Sequence, residues 1–157
     1  MKMILIVEDE YGNAEILRLL LEAEGYRVML TSNGKHALEV LRNGEKPSLI
    51  LSDFMMPIMN GGELGQAVSQ DQVLSQIPFI FMSGTSQDVV RRAYNGYDAF
   101  LAKPIEFDSL LLVVARLIAE GRPPHLPAEG RSQPPPNGQV EESMRHLLKG
   151  IHIPRRD

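Results

Sequence analysis

The sequence predicts an α/β protein built on a doubly wound, five-stranded parallel sheet, (βα)5. Short apolar runs alternate five times with segments of helical periodicity along residues 1–120, the pattern of strands joined by crossover helices. The first run, Met3–Val7 (MILIV), is apolar without a break, as expected for a strand covered on both faces. Because such crossovers are right-handed, helices are expected on both faces of the sheet.

Five segments have the features of strands. Each is short and mostly apolar, and each is bounded by polar, glycine or proline residues. The fourth begins directly after Pro78, and proline suits the start of a strand. The predicted strands are Met3–Val7, Val28–Thr31, Leu49–Ser52, Phe79–Met82 and Ala99–Ala102.

A helical segment follows each predicted strand. The first places Ile16, Leu17, Leu20 and Leu21 at helical spacing, which gives one apolar face. The second and fourth end beside an Asn-Gly pair, a common helix terminator. The predicted helices are Asn13–Glu24, Gly34–Arg42, Gly62–Gln70, Ser86–Tyr94 and Glu106–Ala119.

The composition excludes several classes of function. The chain has 157 residues and a net charge of -4, which argues against an electrostatic nucleic-acid binder. It has no cysteine, so disulfides and cysteine-ligated metals are excluded and a cytoplasmic location is expected. The N-terminal MKMILIVEDE turns acidic after one apolar run, unlike a signal peptide. No apolar stretch reaches the roughly 18 residues of a membrane span.

The composition changes near residue 120. Residues 1–120 contain 10 Lys and Arg and 16 Asp and Glu, a net charge of -6, whereas residues 121–157 contain 6 and 4, a net charge of +2. Seven of the eleven prolines follow Gly121. We predict a domain over 1–120, a Pro- and Gly-rich linker over 121–139 and a short tail over 140–157. Residues 140–149 fit a short amphipathic helix, and a disordered end is the alternative.

Charged and polar residues follow four of the predicted strands. Glu8 and Asp9 follow the first, and Asp53 ends the apolar run of the third. In open parallel sheets, ligands bind beyond the carboxyl ends of the strands, so these three carboxylates are expected to converge. Crowded carboxylates suit Mg²⁺, which binds through few carboxylates and keeps several waters.

Groups of other kinds follow the fourth and fifth strands. Ser83 offers a hydroxyl, Lys103 offers a positive charge, and the backbone N–H groups of Gly84 and Met55 are further donors. Each residue alone has an ordinary reading as a cap, a turn or a solvated surface group. The set of four strand ends instead indicates a phosphoryl-transfer site with Asp53 as the nucleophile.

Four motifs in this order give the sequence a close resemblance to the receiver domains of two-component response regulators. The motifs are VEDE at 7–10, DFMMPIMNG at 53–61, FMSG at 81–84 and FLAKP at 100–104. The resemblance covers residues 1–120 and is closest in kind to single-domain chemotaxis regulators, here with a Pro-rich C-terminal extension. It implies a flavodoxin-like fold with strand order 2-1-3-4-5.

The resemblance also implies a mechanism. It implies that a histidine kinase or phosphotransfer protein phosphorylates Asp53, and that the chain catalyses only its own phosphoryl transfer and dephosphorylation. It implies Mg²⁺, with Mn²⁺ as a substitute, held by Glu8, Asp9, Asp53 and the carbonyl of Met55.

Further roles follow from the same resemblance. Ser83, Gly84 and Lys103 are implied to contact the phosphoryl group, and Ser83 and Phe100 to form the switch. The Lys103–Pro104 peptide bond is implied to be cis, which the tertiary amide permits. The response is expected to pass to an unknown downstream protein by direct contact.

Two positions depart from the family pattern. Met55 lies two residues after Asp53, where the family often has a polar residue that orients an attacking water, so slow self-dephosphorylation is expected. Phe100 has no hydroxyl, so any rotation toward Ser83 depends on packing alone. An ordinary core aromatic is the alternative for Phe100.

The last predicted helix is unusually apolar. Its SLLLVVARLIA run has Arg116 as its only charge, and a surface helix without a polar face is expected to be covered. A homodimer through the helix 106–119 is favoured over cover by the chain's own tail. The residues after 120 are too few for a DNA-binding output domain.

Two other functions fit parts of the pattern. A phosphatase of the haloacid dehalogenase class also uses a strand-end Asp with Mg²⁺, but it has a second Asp where this chain has Met55. A pseudo-receiver keeps the fold without being phosphorylated, and the intact acidic set argues against it.

Overall fold

The computed structural model describes residues 1–123 and contains one five-stranded sheet. All its strands are parallel and their order is β2-β1-β3-β4-β5, which confirms the predicted architecture. The strands are β1 (Met3–Val7), β2 (Arg27–Thr31), β3 (Leu49–Asp53), β4 (Phe79–Ser83) and β5 (Ala99–Ala102). Strands β3 and β4 end one residue later than predicted, at Asp53 and Ser83, because the parallel pairing with neighbouring strands continues to these residues.

Each strand is followed by a helix, as predicted, with end positions that differ by one or two residues. Helix α1 begins early because the Glu10 side chain accepts the N–H groups of Gly12 and Asn13 and so caps it. One short 3₁₀ helix, Leu74–Gln76, was not predicted. The α-helices are α1 (Tyr11–Ala23), α2 (Gly34–Asn43), α3 (Gly61–Ser69), α4 (Gln87–Ala93) and α5 (Phe107–Glu120).

The helices cover the sheet from both sides and divide the core into two clusters. On one side, α1 and α5 pack against the sheet through the buried side chains Leu17, Leu21, Leu110, Val113, Val114 and Leu117. The other side, under α2, α3 and α4, holds an aromatic cluster of Phe54, Phe79, Phe81, Tyr94, Tyr97 and Phe100. Burying each large apolar side chain contributes about 1.5–3 kcal/mol, so both clusters fix the sheet on which the site is built.

Helix α3 approaches its neighbours closely through glycines. A methyl group on Gly61 would lie 2.5 Å from the Asp53 carbonyl oxygen, and one on Gly65 would lie 2.3 Å from the Tyr94 ring. Asn60 and Glu63 form a reciprocal capping box at the start of this helix. The helix is therefore set firmly against the strand that carries Asp53.

The chain after α5 returns to the amino edge of the sheet, where Arg122 is bound. Its guanidinium lies 3.0 Å from the Asp98 carboxylate and donates to the Ser75 and Gly96 carbonyls. The Asp98 carboxylate also accepts the Phe79 N–H at 2.8 Å. Arg122, which lies within the expected linker, is thus tied to the domain.

The rest of the linker and the predicted helix at 140–149 lie outside the described residues. Within residues 1–123, no helix combines the length and the apolar character that a membrane crossing requires.

Candidate functional site

The parallel ladders bring the ends of four strands to one edge of the sheet. Backbone bonds continue just past the strands: Glu8 N–H donates to Thr31, Phe54 N–H to Met82, and Lys103 N–H to Ser83. The side chains at the carboxyl ends of β1, β3, β4 and β5 therefore gather at one edge of the sheet, the carboxyl edge, as the sequence predicted.

Three carboxylates meet at this edge. Glu8, Asp9 and Asp53 each place an oxygen atom within 4.8 Å of the others. Glu8 and Asp53 are buried, whereas Asp9 is exposed. Oxygen donors of this kind, one of them open to solvent, form the ligand set that Mg²⁺ prefers.

Lys103 lies between two of the three carboxylates. Its Nζ atom is 3.1 Å from Glu8 Oε1 and 3.0 Å from Asp53 Oδ2. Burial lowers the pKa of Lys103, but its hydrogen bonds to Asp53 and Glu8 outweigh this, and the net pKa is raised. The lysine therefore stays charged and compensates one of three negative charges.

Glu8 shows the electrostatic cost of the site. Burial raises the pKa of Glu8 and the nearby Asp53 carboxylate raises it further, against the opposing effects of the Glu10 N–H and Lys103. The buried edge thus holds more negative charge than its one lysine neutralises, and a bound cation would relieve that excess.

Asp53 and Ser83 each have a backbone partner that the sequence did not reveal. Asp53 Oδ1 accepts the N–H of Phe54 at 2.7 Å, and Ser83 Oγ accepts the N–H of Thr85 at 2.9 Å. The N–H groups of Met55 and Gly84, which the sequence predicts as donors to the phosphoryl group, are not tested by these two bonds. Both bonds join neighbours in sequence, so they depend on the loop conformation and no residue type signals them.

The loop between β3 and α3 departs from expectation in its backbone. Ile58 has a positive φ of 70°, the one such non-glycine residue in the described range 1–123, whereas Gly61 and Gly62 do not have one. Met59 N–H donates to the Pro57 carbonyl at 2.7 Å, which makes a γ-turn centred on Ile58. Gly61 is required instead by its close approach to Asp53.

The remaining expected site residues have clear positions. Met55 is exposed and Gly84 is exposed, with open space around its Cα. Phe100 is buried and its ring lies 6.3 Å from that of Tyr97. The Lys103–Pro104 peptide bond is cis.

Comparison with models of known protein families identifies the family to which this chain belongs. Residues 4–115 match the family model described as the response regulator receiver domain. The chain belongs to that family. The receiver resemblance of the sequence is thereby confirmed, together with its assignment to two-component signalling regulators.

Curated relatives agree with this receiver assignment. The chain is 36% identical over 106 residues to the polar-differentiation response regulator DivK of Brucella anthropi, covering 66% of this chain and 85% of DivK. It is 34% identical over 119 residues to the response regulator Rre1 of Synechocystis, covering 74% of this chain but only 51% of Rre1. The receiver thus corresponds to about half of Rre1.

Solved receiver structures share the fold. A signal receiver domain of a histidine kinase from Syntrophus aciditrophicus is 35% identical, with a TM-score of 0.71 over 82% of this chain and 99% of that one. The response regulator TrrA of Thermotoga maritima, solved in complex with Mg(2+)-BeF, is 28% identical, with a TM-score of 0.68 over 74% and 99%.

Proposed function

We propose that this receiver accepts a phosphoryl group on Asp53 from a histidine kinase or phosphotransfer protein and signals by protein–protein contact. The observation that supports this most directly is the edge cluster itself. Three carboxylates lie within 4.8 Å of one another, and Lys103 contacts two of them. That arrangement suits positioning and charge neutralisation during phosphoryl transfer.

The donor set fits a magnesium ion. Glu8, Asp9 and Asp53 would hold it together with the backbone carbonyl of Met55, and Mn²⁺ would serve as a substitute. When bound, such an ion neutralises charge on the phosphoryl oxygens. The complex of TrrA with Mg(2+)-BeF supports the same ligand chemistry in a related protein.

In the proposed transfer, an Asp53 carboxylate oxygen attacks phosphorus and the phosphorus–nitrogen bond of a phosphohistidine breaks. The bonding electrons return to the imidazole, which takes up a proton from solvent. The Phe54 N–H at 2.7 Å orients the carboxylate. Lys103, Ser83 and the Gly84 N–H are proposed to contact the transferred group.

Hydrolysis of the resulting acyl phosphate is proposed to be slow. Met55 follows Asp53 by two residues and is 62% exposed, and its thioether cannot orient water as an amide can. We expect Met55→Asn to shorten the phosphoryl lifetime, measured by loss of label after donor removal. A longer lifetime in the variant would contradict this role of Met55.

The output surface is proposed to include α5. Leu112 is 48% exposed, and Ala115 and Ala119 lie one and two turns further along the same exposed side. We propose a homodimer through residues 106–119 and a switch in which Ser83 and Phe100 respond to phosphorylation. A cytoplasmic location belongs to the same proposal, because the kinase partner uses ATP.

The test is intact mass with and without Mg²⁺ and acetyl phosphate, on the wild type and on Asp53→Ala. We expect a Mg²⁺-dependent gain of about 80 Da, one phosphoryl group, that is lost in Asp53→Ala. A parallel treatment of a known receiver controls the reagents. If the known receiver is labelled and this chain is not, the chain is a pseudo-receiver and the proposal fails.

A further inference from the structure

Helix α1 has apolar residues on two opposite faces. One face is buried in the core and consists of Ala14, Leu17 and Leu21. The other face is exposed, and its residues recur at intervals of four, three and four, the spacing at which one helix packs along another. We call this exposed face the α1 stripe, and it consists of Gly12, Ile16, Leu19 and Ala23.

The alignment of the α1 stripe distinguishes it from scattered surface residues. Ile16 is 49% exposed and Leu19 is 58% exposed, and residues three and four apart are neighbours on a helix surface. A single exposed apolar residue is ordinary on a protein surface. A continuous apolar row on one helix is instead typical of an interaction surface.

The flanks of the α1 stripe are acidic. Arg18 lies 2.5 Å from Glu15 and 2.7 Å from Glu22, so its one positive charge is already shared between two carboxylates. Glu24, the C-cap residue of the helix, adds a third negative charge. A segment that binds along this face is therefore expected to be apolar in the middle and basic at its sides.

The tail of the same chain has a matching apolar row. Residues 124–157 lie outside the described part of the chain, but their sequence repeats the intervals of four, three and four. Residues 143–156 contain four Lys and Arg residues and no acidic residue. This row, which overlaps the helix predicted over 140–149, consists of Val140, Met144, Leu147 and Ile151.

The described chain ends at a point from which the tail can reach α1. Arg122 is held at the amino edge by Asp98, and α1 ends at the same edge, because the next strand begins there with Arg27 opposite Met3. Three strand spacings, about 15 Å, separate β5 from β1. Residues 124–139 number 16 and span about 50 Å when extended.

We propose that residues 140–151 dock on the α1 stripe of the same chain, antiparallel to α1, as a cover that any other partner of this face must displace. The antiparallel direction follows from the exit point, since the linker reaches the C-terminal end of α1 first. It also places the helix dipoles favourably. Leu19 then faces Met144. Docking of this segment does not depend on phosphorylation of Asp53.

The lack of cysteine in the chain allows a test by disulfide cross-linking. The full chain with Leu19→Cys and Met144→Cys is oxidised mildly and compared with the full chain with Glu39→Cys and Met144→Cys. Glu39 is an exposed residue of α2, which covers the other side of the sheet. We expect the first pair to close within one chain, on the order of tenfold faster than the control and independently of protein concentration.

A second measurement observes the contact without a cross-link. Leu19→Cys alone is alkylated with a maleimide, with and without Leu147→Asp. We expect Leu147→Asp to speed alkylation about tenfold, because an aspartate carboxylate cannot be buried against an apolar row without cost. Alkylation of Glu39→Cys should keep the same rate in both backgrounds. Leu147→Asp lies outside the described domain and leaves its core unchanged.

Two results would show that the tail does not cover α1. They are equal closure rates for the two cysteine pairs, and alkylation of Leu19→Cys at a rate that Leu147→Asp does not change. A cross-link that joins two chains, and forms faster as the protein is concentrated, would also overturn the proposal, because the α1 stripe would then bind a second copy.

Discussion

Two buried aspartates stand at opposite edges of the same sheet, and their partners differ in kind. At the amino edge, Asp98 is paired with the guanidinium of Arg122 and accepts the Phe79 N–H. At the carboxyl edge, Asp53 shares one lysine with Glu8 and lies beside Asp9 as well. The first edge is balanced in charge, and the second carries excess negative charge.

This difference separates a structural carboxylate from a candidate reactive one. Both aspartates are buried, with 2% of Asp98 and 6% of Asp53 exposed, so burial alone does not distinguish them. The useful criterion is whether the aspartate and its charged neighbours together have a net charge of zero. Asp98 satisfies it through Arg122, whereas the site around Asp53 has negative charge left over that a bound cation would neutralise.

The largest expected effect on stability comes from removing the cation that pairs with Asp98 at the amino edge. Arg122→Ala leaves the Asp98 carboxylate buried without its cation and should lower the free energy of unfolding by about 3 kcal/mol. Urea unfolding measures it. Arg27→Ala is the matched control, because Arg27 pairs with Glu45 on the surface and exposed pairs contribute about 0.5 kcal/mol. Equal losses in the two variants would show that Arg122 acts as a surface residue.

A smaller effect of opposite sign is expected at the other edge. Asp53→Asn keeps an acceptor for the Phe54 N–H but removes one of three crowded carboxylates, so it should raise the free energy of unfolding by about 1 kcal/mol in EDTA. The same change at the amino edge, Asp98→Asn, should lower it. If both substitutions shift stability in the same direction, the contrast between the edges is wrong.

The smallest effect is a dependence on pH. Burial and Asp53 raise the pKa of Glu8 in the folded protein, so the folded state binds this proton more tightly than the unfolded chain. The resulting stabilisation is fully present below the ordinary pKa of 4.5 and is lost as pH rises through the raised folded value.

Glu8→Gln isolates this dependence in metal-free protein. The free energy of unfolding of Glu8→Gln relative to the wild type should increase as pH rises from about 4.5 toward 8, because only the wild type acquires the buried charge. Denaturant melts in EDTA measure the difference, with Glu39→Gln as an exposed comparison. A relative stability that falls with pH would reverse the sign assigned to Glu8.

Much of the site could be predicted because parallel sheets turn local patterns into spatial neighbours. Glu8, Asp53 and Lys103 are far apart in sequence, yet each is the last residue of a strand or the first after one, and the register of the sheet brings their side chains together. The strands were recognisable from apolar runs alone, so the convergence of the acidic set followed from the fold class.

The features that could not be predicted depend on tertiary contacts. Arg122 finds Asp98 across 24 residues at the other end of the sheet, and nothing near Arg122 in sequence signals that pairing. The positive φ of Ile58 lies in a loop whose Met59 carbonyl accepts the Gly34 N–H, and an isoleucine gives no sequence signal for such a backbone conformation. Asn60 and Glu63 were a readable capping signal that could have placed the start of α3.

The close approach of Gly61 to the Asp53 backbone also limits how the sequence can change over time. Even the smallest replacement, alanine, would place a carbon 2.5 Å from the backbone carbonyl oxygen of Asp53, so any substitution at position 61 would displace the strand end that carries the Asp53 carboxylate. Exposed residues of the same loop, such as Met55 and Ile58, can be exchanged over evolutionary time far more freely than this glycine. The surface of the loop can therefore diverge while the Asp53 carboxylate keeps its position.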